Sequence, residues 1–433
     1  MKYYSTNGRS QPVSFREAVL QGVADDGGLF MPAAVPRLPE EFWQGCGSMS
    51  FVEIAEEVAA PFVGDNIPRP QLRTIVGDAL TFDAPLVALA PGLHILQLFH
   101  GPTLAFKDFG ARFMARVLAA LREDSSRELT VLVATSGDTG SAVAQGFRDV
   151  PDTRVVLLYP SGKVSRIQEQ QLTTIGGNVT ALEVLGSFDD CQRMVKSAFR
   201  DPDLRARLTL TSANSINIAR LIPQTFYYVW AYARLRNKVI SPVFSVPSGN
   251  FGNLTTGLIA HRMGLPAERF VAATNANDEV PAYLASGLFS PRPSVQTLSS
   301  AMDVGNPSNF ARMLALYDGD QARMARDVRG YGFSDAETLA GMRALFERYG
   351  YIADPHTAVA YLGLTRFLDD APGPHQGIVL STAHPAKFPE ACRDAIGRDV
   401  EMPERLRACL EMPKQATTIP ATGNALRALL LHA

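Results

Sequence analysis

The sequence predicts an α/β protein with open, mostly parallel sheets, because short apolar runs alternate with helical patterns along the middle of the chain. The predicted strands lie at Leu93–Phe99, Leu129–Ala134, Arg154–Tyr159, Val179–Val184, Val243–Val246 and Arg269–Thr274. Helical periodicity fills most of the intervals between them, as the crossover connections of parallel strands require. A less regular segment follows from about 280 to 350, and the alternation then resumes with a strand at Gly377–Thr382 and a helix at Pro389–Gly397.

The regions on either side of this alternation have different patterns. Near the start, Ser14 is the predicted cap of a helix at Phe15–Gln21, and a second helix is predicted at Phe51–Val63. A loop rich in glycine and proline, DDGGLFMPAAVPRLP, lies between these helices. Near the end, the sequence TTIPATG predicts a turn between short helices. We therefore expect a small N-terminal domain at 1–80, two α/β subdomains within 81–397, and a helical C-terminal extension at 398–433.

Composition and charge exclude several classes of partner. The 433 residues are 46% hydrophobic and 19% charged with a formal net charge of -2, and no run of like charges occurs, so we expect no nucleic acid partner. No run of about 18 apolar residues and no signal-like opening is present, which predicts no membrane partner and a cytoplasmic location. The cysteines form no CxxC pair and predict neither a metal site nor a disulfide; they are Cys46, Cys191, Cys392 and Cys409. The sequence does not distinguish a monomer from a homodimer.

One lysine, Lys107, occupies a chemically unusual position in the stretch LHILQLFHGPTLAFKDFGARFMARVLAAL. A turn separates the predicted strand from a helix for which Thr103 is the predicted N-cap, so Lys107 falls in the first helical turn. Open α/β sheets bind ligands at this place, just past the carboxyl end of a strand. Burial near an electropositive helix N-terminus lowers the pKa of an amine, and a Schiff base with a carbonyl cofactor requires a neutral amine. The alternative is a surface lysine paired with Asp108.

Three further loops with polar sequences follow predicted strands. The first, after VLVA, reads TSGDTGS and begins a helix, where unpaired N–H groups favour a carboxylate or another small anion. It matches neither GxGxxG nor a Walker sequence, and a plain capped turn is the alternative. Its candidate substrate ligands are Thr135, Ser136, Gly137, Asp138 and Thr139.

The second loop reads PSGNFGN and lies between a strand and a helix. Its glycines permit close backbone approach, and the dipole of the following helix favours a dianion, so this loop is the predicted phosphate cradle; an ordinary Asn/Gly turn is the alternative. Its candidate ligands are Gly249, Asn250, Phe251, Gly252 and Asn253.

The third loop, STAHPAK, places Thr382 at a strand terminus, where its hydroxyl can hydrogen-bond an unprotonated ring nitrogen. His384 and Lys387 in the same loop remain without an assigned role.

The motifs HGPTLAFKDFG, SGDTGSA, PSGNFG and STAHPAKF occur in this order and resemble those of threonine synthases of the bacterial and fungal type. The openings YYSTNG and DDGGLFMP extend the resemblance over nearly the whole chain. It implies a pyridoxal-phosphate-dependent enzyme of fold type II, the tryptophan-synthase-β type, with two open α/β subdomains and a small N-terminal domain. It also implies conversion of O-phospho-L-homoserine and water to L-threonine and phosphate, the last step of threonine biosynthesis.

Carried over residue by residue, the resemblance implies a role for three of the motifs. Lys107 is similar to the lysine that forms the Schiff base with pyridoxal 5'-phosphate, the Gly249–Asn253 loop to the cradle of the cofactor phosphate, and Thr382 to the partner of the pyridine nitrogen. Related fold members have asparagine where this chain has Asp138. A carboxylate cannot donate to the 3′ oxygen of the cofactor, so the contact of Asp138 stays open.

A phosphorylated substrate needs a second anion site. The candidates are Lys163, Ser165 and Arg166 at a predicted helix start, and Asn214, Asn217 and Arg220 before a later helix. Charge and helix dipole would act together at the first cluster, for which exposed capping residues are the alternative.

Two other functions remain open: a serine or threonine dehydratase, which needs no second phosphate pocket, and a catalytically silent relative that binds the cofactor.

Overall fold

The computed structural model describes residues 1–122, 128–135, 137–235 and 240–432, which contain fourteen strands and twenty α-helices. The strands are β1 (Lys2–Ser5), β2 (Val13–Ser14), β3 (Phe30–Pro32), β4 (Leu86–Ala90), β5 (Leu93–Gln97), β6 (Leu129–Ala134), β7 (Thr153–Pro160), β8 (Val179–Leu185), β9 (Thr209–Ser212), β10 (Pro242–Pro247), β11 (Arg269–Thr274), β12 (Val328–Gly332), β13 (Gln376–Ser381) and β14 (Thr417–Pro420).

The helices are α1 (Phe15–Gln21), α2 (Glu40–Gly45), α3 (Phe51–Val63), α4 (Arg69–Ala79), α5 (Lys107–Leu121), α6 (Asp138–Phe147), α7 (Arg166–Thr173), α8 (Phe188–Arg200), α9 (Pro202–Arg207), α10 (Ile218–Leu221), α11 (Gln224–Arg234), α12 (Gly252–Arg262), α13 (Glu279–Ser286), α14 (Phe310–Leu316), α15 (Gln321–Asp327), α16 (Asp335–Tyr349), α17 (Pro355–Asp370), α18 (Pro389–Ile396), α19 (Glu404–Glu411) and α20 (Gly423–His432). Short 3₁₀ helices lie at Cys46–Ser48, Gly64–Asn66, Ser300–Met302 and Pro385–Lys387. None of the helices in these described ranges is long and apolar enough to cross a membrane.

The N-terminal region contains a small antiparallel sheet with the strand order β2-β1-β3. The helices α1 and α3 begin and end at the predicted residues. Ser14 caps α1 as predicted: its hydroxyl accepts from the backbone N–H of Glu17 at 3.2 Å, and the Glu17 carboxylate accepts from the backbone N–H of Ser14 at 2.7 Å. This reciprocal capping box satisfies two donors at the start of the helix, which explains why the local sequence specifies the boundary so well.

The larger sheet has six strands in the order β12-β11-β10-β13-β5-β4. Its strands run parallel except at the edge, where β4 is antiparallel to β5. Helix α17 covers one face, where its side chains Val359 and Leu364 share a buried core with Ile95 and Val379 of the sheet. Parallel strands covered by helices explain the apolar runs from which these strands were predicted.

The second sheet has five strands, all parallel, in the order β14-β8-β7-β6-β9. Strands β6, β7 and β8 confirm the predicted strands to within one residue at either end. Strand β14 corrects the prediction of a turn at TTIPATG, because Thr417–Pro420 pairs in parallel with Leu182–Leu185. The buried side chain of Ile419 attaches this edge strand to the core of the sheet.

The segment between β5 and α5 crosses to the carboxyl end of β13. The backbone N–H of Phe106 donates to the carbonyl of Thr382 at 2.9 Å, and Ala105 forms an isolated antiparallel bridge with Ala383. Helix α5 therefore begins at Lys107 next to the end of β13. This connection brings Lys107 and Thr382 into one place, although the two residues lie 275 positions apart in the sequence.

Candidate active site

A cleft of about 2050 Å³ lies at the carboxyl ends of the strands of both parallel sheets. Most of the predicted site residues line it: Lys107, Thr135, Gly137, Asp138, Thr139, Lys163, Ser165, Asn214, Arg220, Gly249, Asn250, Phe251, Gly252, Asn253 and Thr382. Arg166 and Asn217 do not line it, and Ser136 lies outside the described residues. The loops come together because the carboxyl ends of parallel strands share one edge of a sheet.

Lys107 is partly accessible from this cleft. Burial lowers the pKa of its amine, Asp138 opposes this effect, and the charges of Lys387 and Arg220 lower the pKa further. Among the described residues, no hydrogen-bond partner of the Lys107 amine is found, and its Nζ lies 6.0 Å from the centroid of the Phe106 ring. The amine is therefore available to a ligand and favours its neutral form more than an exposed lysine does.

The surface pair of Lys107 with Asp108 does not form, and Thr103 is not the cap of α5. The buried Asp108 carboxylate instead accepts from the backbone N–H and the hydroxyl of Thr103, both at 2.8 Å. Phe106 occupies the N-cap position without a side-chain cap bond. Thr103 thus closes the turn before the helix, because the carboxylate of Asp108 competes successfully for its hydroxyl.

Asp138 and Lys387 form a buried ion pair beside Lys107. The Oδ1 atom of Asp138 accepts from Nζ of Lys387 at 2.5 Å and from Nε2 of Gln168 at 3.1 Å. Nζ of Lys387 also donates to the carbonyl of Thr103 at 3.0 Å. Burial alone would raise the pKa of Asp138, but Lys387 and Lys107 outweigh burial and hold this pKa well below its usual range. The sequence left Lys387 without a role, although its place in a polar loop directly after a buried strand was a usable signal.

The backbone of the PSGNFGN loop forms a pocket of free donors. Phe251 has a φ of 58°, and helix α12 starts directly after it at Gly252. No acceptor for the backbone N–H groups of residues 250–253 is found among the described residues. A Cβ atom on Gly249 would lie 2.6 Å from Cα of Met302, so this position has no space for a side chain. Free N–H groups at a helix N-terminus suit an anion, and the assignment of a phosphate to this loop stays a prediction.

The amide of Asn253 adds a side-chain donor to this pocket. Its Oδ1 accepts from the hydroxyls of Tyr227 at 2.7 Å and Tyr228 at 2.8 Å. Its Nδ2 is buried and has no partner within the described part of the chain. Two tyrosines thus fix the amide with its donor unused, and an unused buried donor is costly unless a ligand accepts from it.

Thr382 lies at the end of β13, where its backbone carbonyl accepts from Phe106. No partner of its hydroxyl is found among the described residues, and the residue lines the cleft.

A neighbouring buried histidine, His356, was missed by the sequence analysis. Its Nδ1 bonds the carboxylate of Asp354 at 2.6 Å, and its Nε2 accepts from the backbone N–H of Ala301 at 3.2 Å. His356 therefore fixes the chain that faces the cradle, and the only sequence signal was an aspartate before a helix start.

The structure corrects two members of the predicted substrate-phosphate clusters. Arg166 is exposed and does not line the cleft, while Ser165 accepts from the backbone N–H of Gln168 at 3.3 Å as the cap of α7. Asn217 is buried because it caps α10 through Ala219 and donates to the carbonyl of Val19 at 2.9 Å. The polar atoms of Asn217 therefore serve structural contacts.

Arg220 remains as a buried cation on the cleft wall. Its side chain is 3% exposed, its Nη1 donates to the carbonyl of Ala213 at 2.6 Å, and its Nε has no partner among the described residues. Burial lowers the pKa of its guanidinium to about 10, so it stays charged at neutral pH. Asn214 lines the same cleft, whereas Lys163 lies exposed at its rim.

Comparison with known proteins identifies the family. A family model described as "Pyridoxal-phosphate dependent enzyme" matches residues 82–382, "Threonine synthase N terminus" matches 2–80, and "Threonine synthase, C-terminal" matches 357–430. The chain is 44% identical to a threonine synthase from Haemophilus influenzae over the full length of both. It is similar to the crystal structure of threonine synthase from Escherichia coli, with 42% identity, a TM-score of 0.91 and coverage of 100% of this chain and 99% of that chain.

A third relative contains the cofactor. The structure of PLP-bound threonine synthase from Brucella melitensis is 35% identical, with a TM-score of 0.93 and coverage of 100% of this chain and 99% of that chain. The residues of the present cleft fit the same cofactor, because the free N–H groups before α12 and the unused amide of Asn253 suit a phosphate, and Lys107 offers an accessible amine. The chain therefore belongs to the threonine synthase family of pyridoxal-phosphate-dependent enzymes.

Proposed function

We propose that this enzyme acts on O-phospho-L-homoserine and converts it with water to L-threonine and inorganic phosphate. The observation that carries the proposal is the buried guanidinium of Arg220, whose Nε has no partner among the described residues, on a residue that lines the same cleft as Lys107. A substrate with its own phosphate needs donors separate from those that hold the cofactor phosphate, and Arg220 with Asn214 provides a separate set. An enzyme for unphosphorylated serine or threonine has no need of a second buried cation.

When bound, pyridoxal phosphate supplies a conjugated ring that delocalises the electron pair left on a carbon after a proton is removed. The residues that would hold it are Lys107, the Gly249–Asn253 loop and Thr382. The loop would donate to the phosphate through backbone N–H groups and the Asn253 amide, and the Thr382 hydroxyl would donate to the unprotonated ring nitrogen. A threonine in this position suits a neutral ring nitrogen, since a carboxylate would favour the protonated one.

Lys107 is the proposed acid and base of the reaction. Protons leave Cα and Cβ of the substrate, the Cγ–O bond breaks, and the phosphate takes its electron pair. Protons then return to Cγ and Cα, while water adds its hydroxyl to Cβ and gives its remaining proton to the phosphate. Burial lowers the pKa of the Lys107 amine, so the amine can accept a carbon-bound proton and later return it.

Substrate binding is proposed to depend on Arg220 and not on the exposed cluster at α7. This differs from the first expectation, in which Lys163, Ser165 and Arg166 held the phosphate. A buried guanidinium offers a strong, desolvated contact to a phosphate, whereas an exposed lysine is screened by water. Lys163 and Ser165 remain close enough to contribute at the rim of the cleft.

The test compares the holoenzyme with its Arg220→Lys and Lys163→Ala variants, supplied with phosphohomoserine. Equimolar release of threonine and phosphate is expected from the parent, with no turnover of unphosphorylated homoserine. Loss of one charge-assisted contact should raise KM about ten- to a hundredfold in Arg220→Lys, while the rim variant should change KM by less than about threefold. A parallel cofactor titration controls for loss of pyridoxal phosphate. Normal KM in Arg220→Lys, or formation of ammonia and a keto acid in place of phosphate, would contradict the proposal.

We also infer a cytoplasmic location. None of the four cysteines forms a disulfide within the described residues, and three of them are buried. Cysteines without disulfides are typical of proteins from reducing compartments, which supports the inference. Labelling of the protein in fractionated cells would test it.

A further inference from the structure

A second buried asparagine faces the cradle before α12. Asn309 immediately precedes α14 and has no exposed surface. Its Nδ2 has no partner among the described residues. The same atom lies 3.3 Å from the position that a Cβ on Gly252 would occupy, so it points towards the first residue of α12. The pocket thus contains two unused amide donors, one from Asn253 and one from Asn309.

The orientation of Asn309 is fixed by a buried arginine. Arg312 has no exposed surface, and its Nη1 donates to Oδ1 of Asn309 at 2.7 Å. Its other N–H groups donate to the backbone carbonyls of Phe30, Ser215 and Ile216 at 2.7 to 3.3 Å. Because Oδ1 of Asn309 accepts from Arg312, the amide is turned with its Nδ2 towards Gly252.

The charge of Arg312 has no counter-charge among its partners. Every group that it bonds is a neutral carbonyl, and no carboxylate contacts it within the described residues. Burial lowers the pKa of its guanidinium to about 9, so it stays charged at neutral pH. A buried cation without an acid is unfavourable by itself, and an anion held nearby offsets this cost.

We propose that Asn309 is a further ligand of a phosphate monoester at the N-terminus of α12, and that Arg312 is the positioning residue that aims its amide. The shared chemistry is a phosphate dianion, which either the cofactor or the substrate could bring. The position of the Asn309 amide beside Gly252 assigns it to the cofactor phosphate. This inference rests on the proposed function, in which the Gly249–Asn253 loop holds that phosphate.

The experiment titrates the apoprotein with pyridoxal phosphate and, separately, with pyridoxal, which has no phosphate. Binding is followed by absorbance, and the ³¹P resonance of the bound cofactor is recorded in parallel. Asn309→Ala should weaken the binding of pyridoxal phosphate about ten- to a hundredfold and leave that of pyridoxal unchanged, because only the phosphate loses a donor. Asn178→Ala serves as the matched control: its half-buried amide donates to the carbonyls of Phe147 and Thr153, away from the cleft, and neither affinity should change.

Arg312→Lys tests the positioning role, since lysine keeps the charge but cannot donate to all the same acceptors. It should reproduce the selective loss of pyridoxal phosphate and shift the ³¹P resonance, which a general loss of packing would not do selectively. If this variant does not fold, the comparison at Asn309 still decides the proposal. An equal loss of both ligands in Asn309→Ala would overturn the proposal, because it would mark a purely structural role.

Two further outcomes separate this inference from the assignment of the cradle. Unchanged affinity in Asn309→Ala with a raised KM for phosphohomoserine would overturn the assignment to the cofactor phosphate, because the donor would then serve the substrate. Gly252→Val, which would crowd the cradle itself, tests the proposed function. If Gly252→Val weakens pyridoxal phosphate and Asn309→Ala does not, only the present inference fails; if neither variant weakens it, the cradle lies elsewhere and the proposed function fails with it.

Discussion

Replacement of Lys387 by methionine removes one half of the buried ion pair beside Lys107. The side chain of Lys387 is 0% exposed and that of Asp138 is 4% exposed, so water cannot screen the charge that remains. Loss of one partner of a buried pair costs about 3–5 kcal/mol of folding free energy, compared with about 0–1 kcal/mol for an exposed pair. Lys387→Met should therefore lower the free energy of unfolding by several kcal/mol, measured by urea unfolding of the apoprotein with fluorescence and circular dichroism.

The double variant Asp138→Asn/Lys387→Met isolates the electrostatic part of this loss. It removes the unpaired carboxylate and keeps a side chain of similar shape, so most of the lost stability should return. Lys163→Met is the matched control, because it removes an exposed lysine and should change stability little. Additive effects in the double variant, or a single variant within about 1 kcal/mol of the parent, would refute the reasoning.

The same substitution should change the titration of Lys107. The charged groups that act on the amine are Asp138, Lys387 and Arg220, and Lys387 lowers its pKa. Without Lys387, Lys107 and Asp138 together retain a proton to higher pH, so the pKa of the amine rises. The pH profile for the rate of borohydride-reducible adduct formation between the apoprotein and pyridoxal phosphate should then shift to higher pH in Lys387→Met. An unshifted profile would contradict this expectation.

Three other predictions follow from the site. Lys107→Ala should keep the fold but lose the reducible cofactor adduct, and peptide mapping of borohydride-treated parent should find the label on Lys107 alone. Thr382→Asp should change the absorbance spectrum of the bound cofactor and impair threonine formation, because a carboxylate favours a protonated ring nitrogen; an unchanged spectrum and rate would remove Thr382 from the ring. Burial raises the pKa of Asp108 from 3.8 to about 6. The protonated carboxyl therefore contributes roughly 3 kcal/mol to the free energy of unfolding, and this contribution is complete below the unfolded pKa and is lost as the pH rises through 6. Urea titrations of Asp108→Asn between pH 4 and 7 should lack this fall.

The sequence predicted the central strands of both parallel sheets because these strands are buried on both faces and read as apolar runs. It missed strands whose pairing comes from distant parts of the chain. Strand β12 reads VRGYG, in which two glycines and a charge hide the strand pattern, and β14 has exposed Thr417 and Thr418. Their positions follow from the neighbouring strands β11 and β8, whose edges accept them.

The same distinction explains which site residues were found. Lys107 and the glycine-rich loops were predicted because their chemistry is local: each follows a strand and begins a helix. Thr103 was predicted as a cap because nothing local shows that the carboxylate of Asp108 and the amine of Lys387 use its polar atoms. Asn309 and His356 were missed because the groups that they face across the fold, Gly252 and the backbone N–H of Ala301, lie far away in the sequence.

The distribution of charge in the cleft suits an enzyme that handles two phosphates. Asp138 is balanced by Lys387, so this acid does not neutralise the other cations of the cleft. Arg220 and Arg312 each donate to neutral carbonyl groups, and neither has a hydrogen-bonded carboxylate among the described residues. The nearby Asp108 carboxylate raises the pKa of Arg220 and offsets part of its charge, whereas no counter-charge acts on Arg312 among the described residues. Both cations still favour anionic ligands, Arg312 through Asn309 at the cradle and Arg220 at the cleft wall. In the proposed function, Arg312 acts at the cofactor phosphate and Arg220 at the phosphate of the substrate, so the two buried arginines together support that proposal more than either one alone.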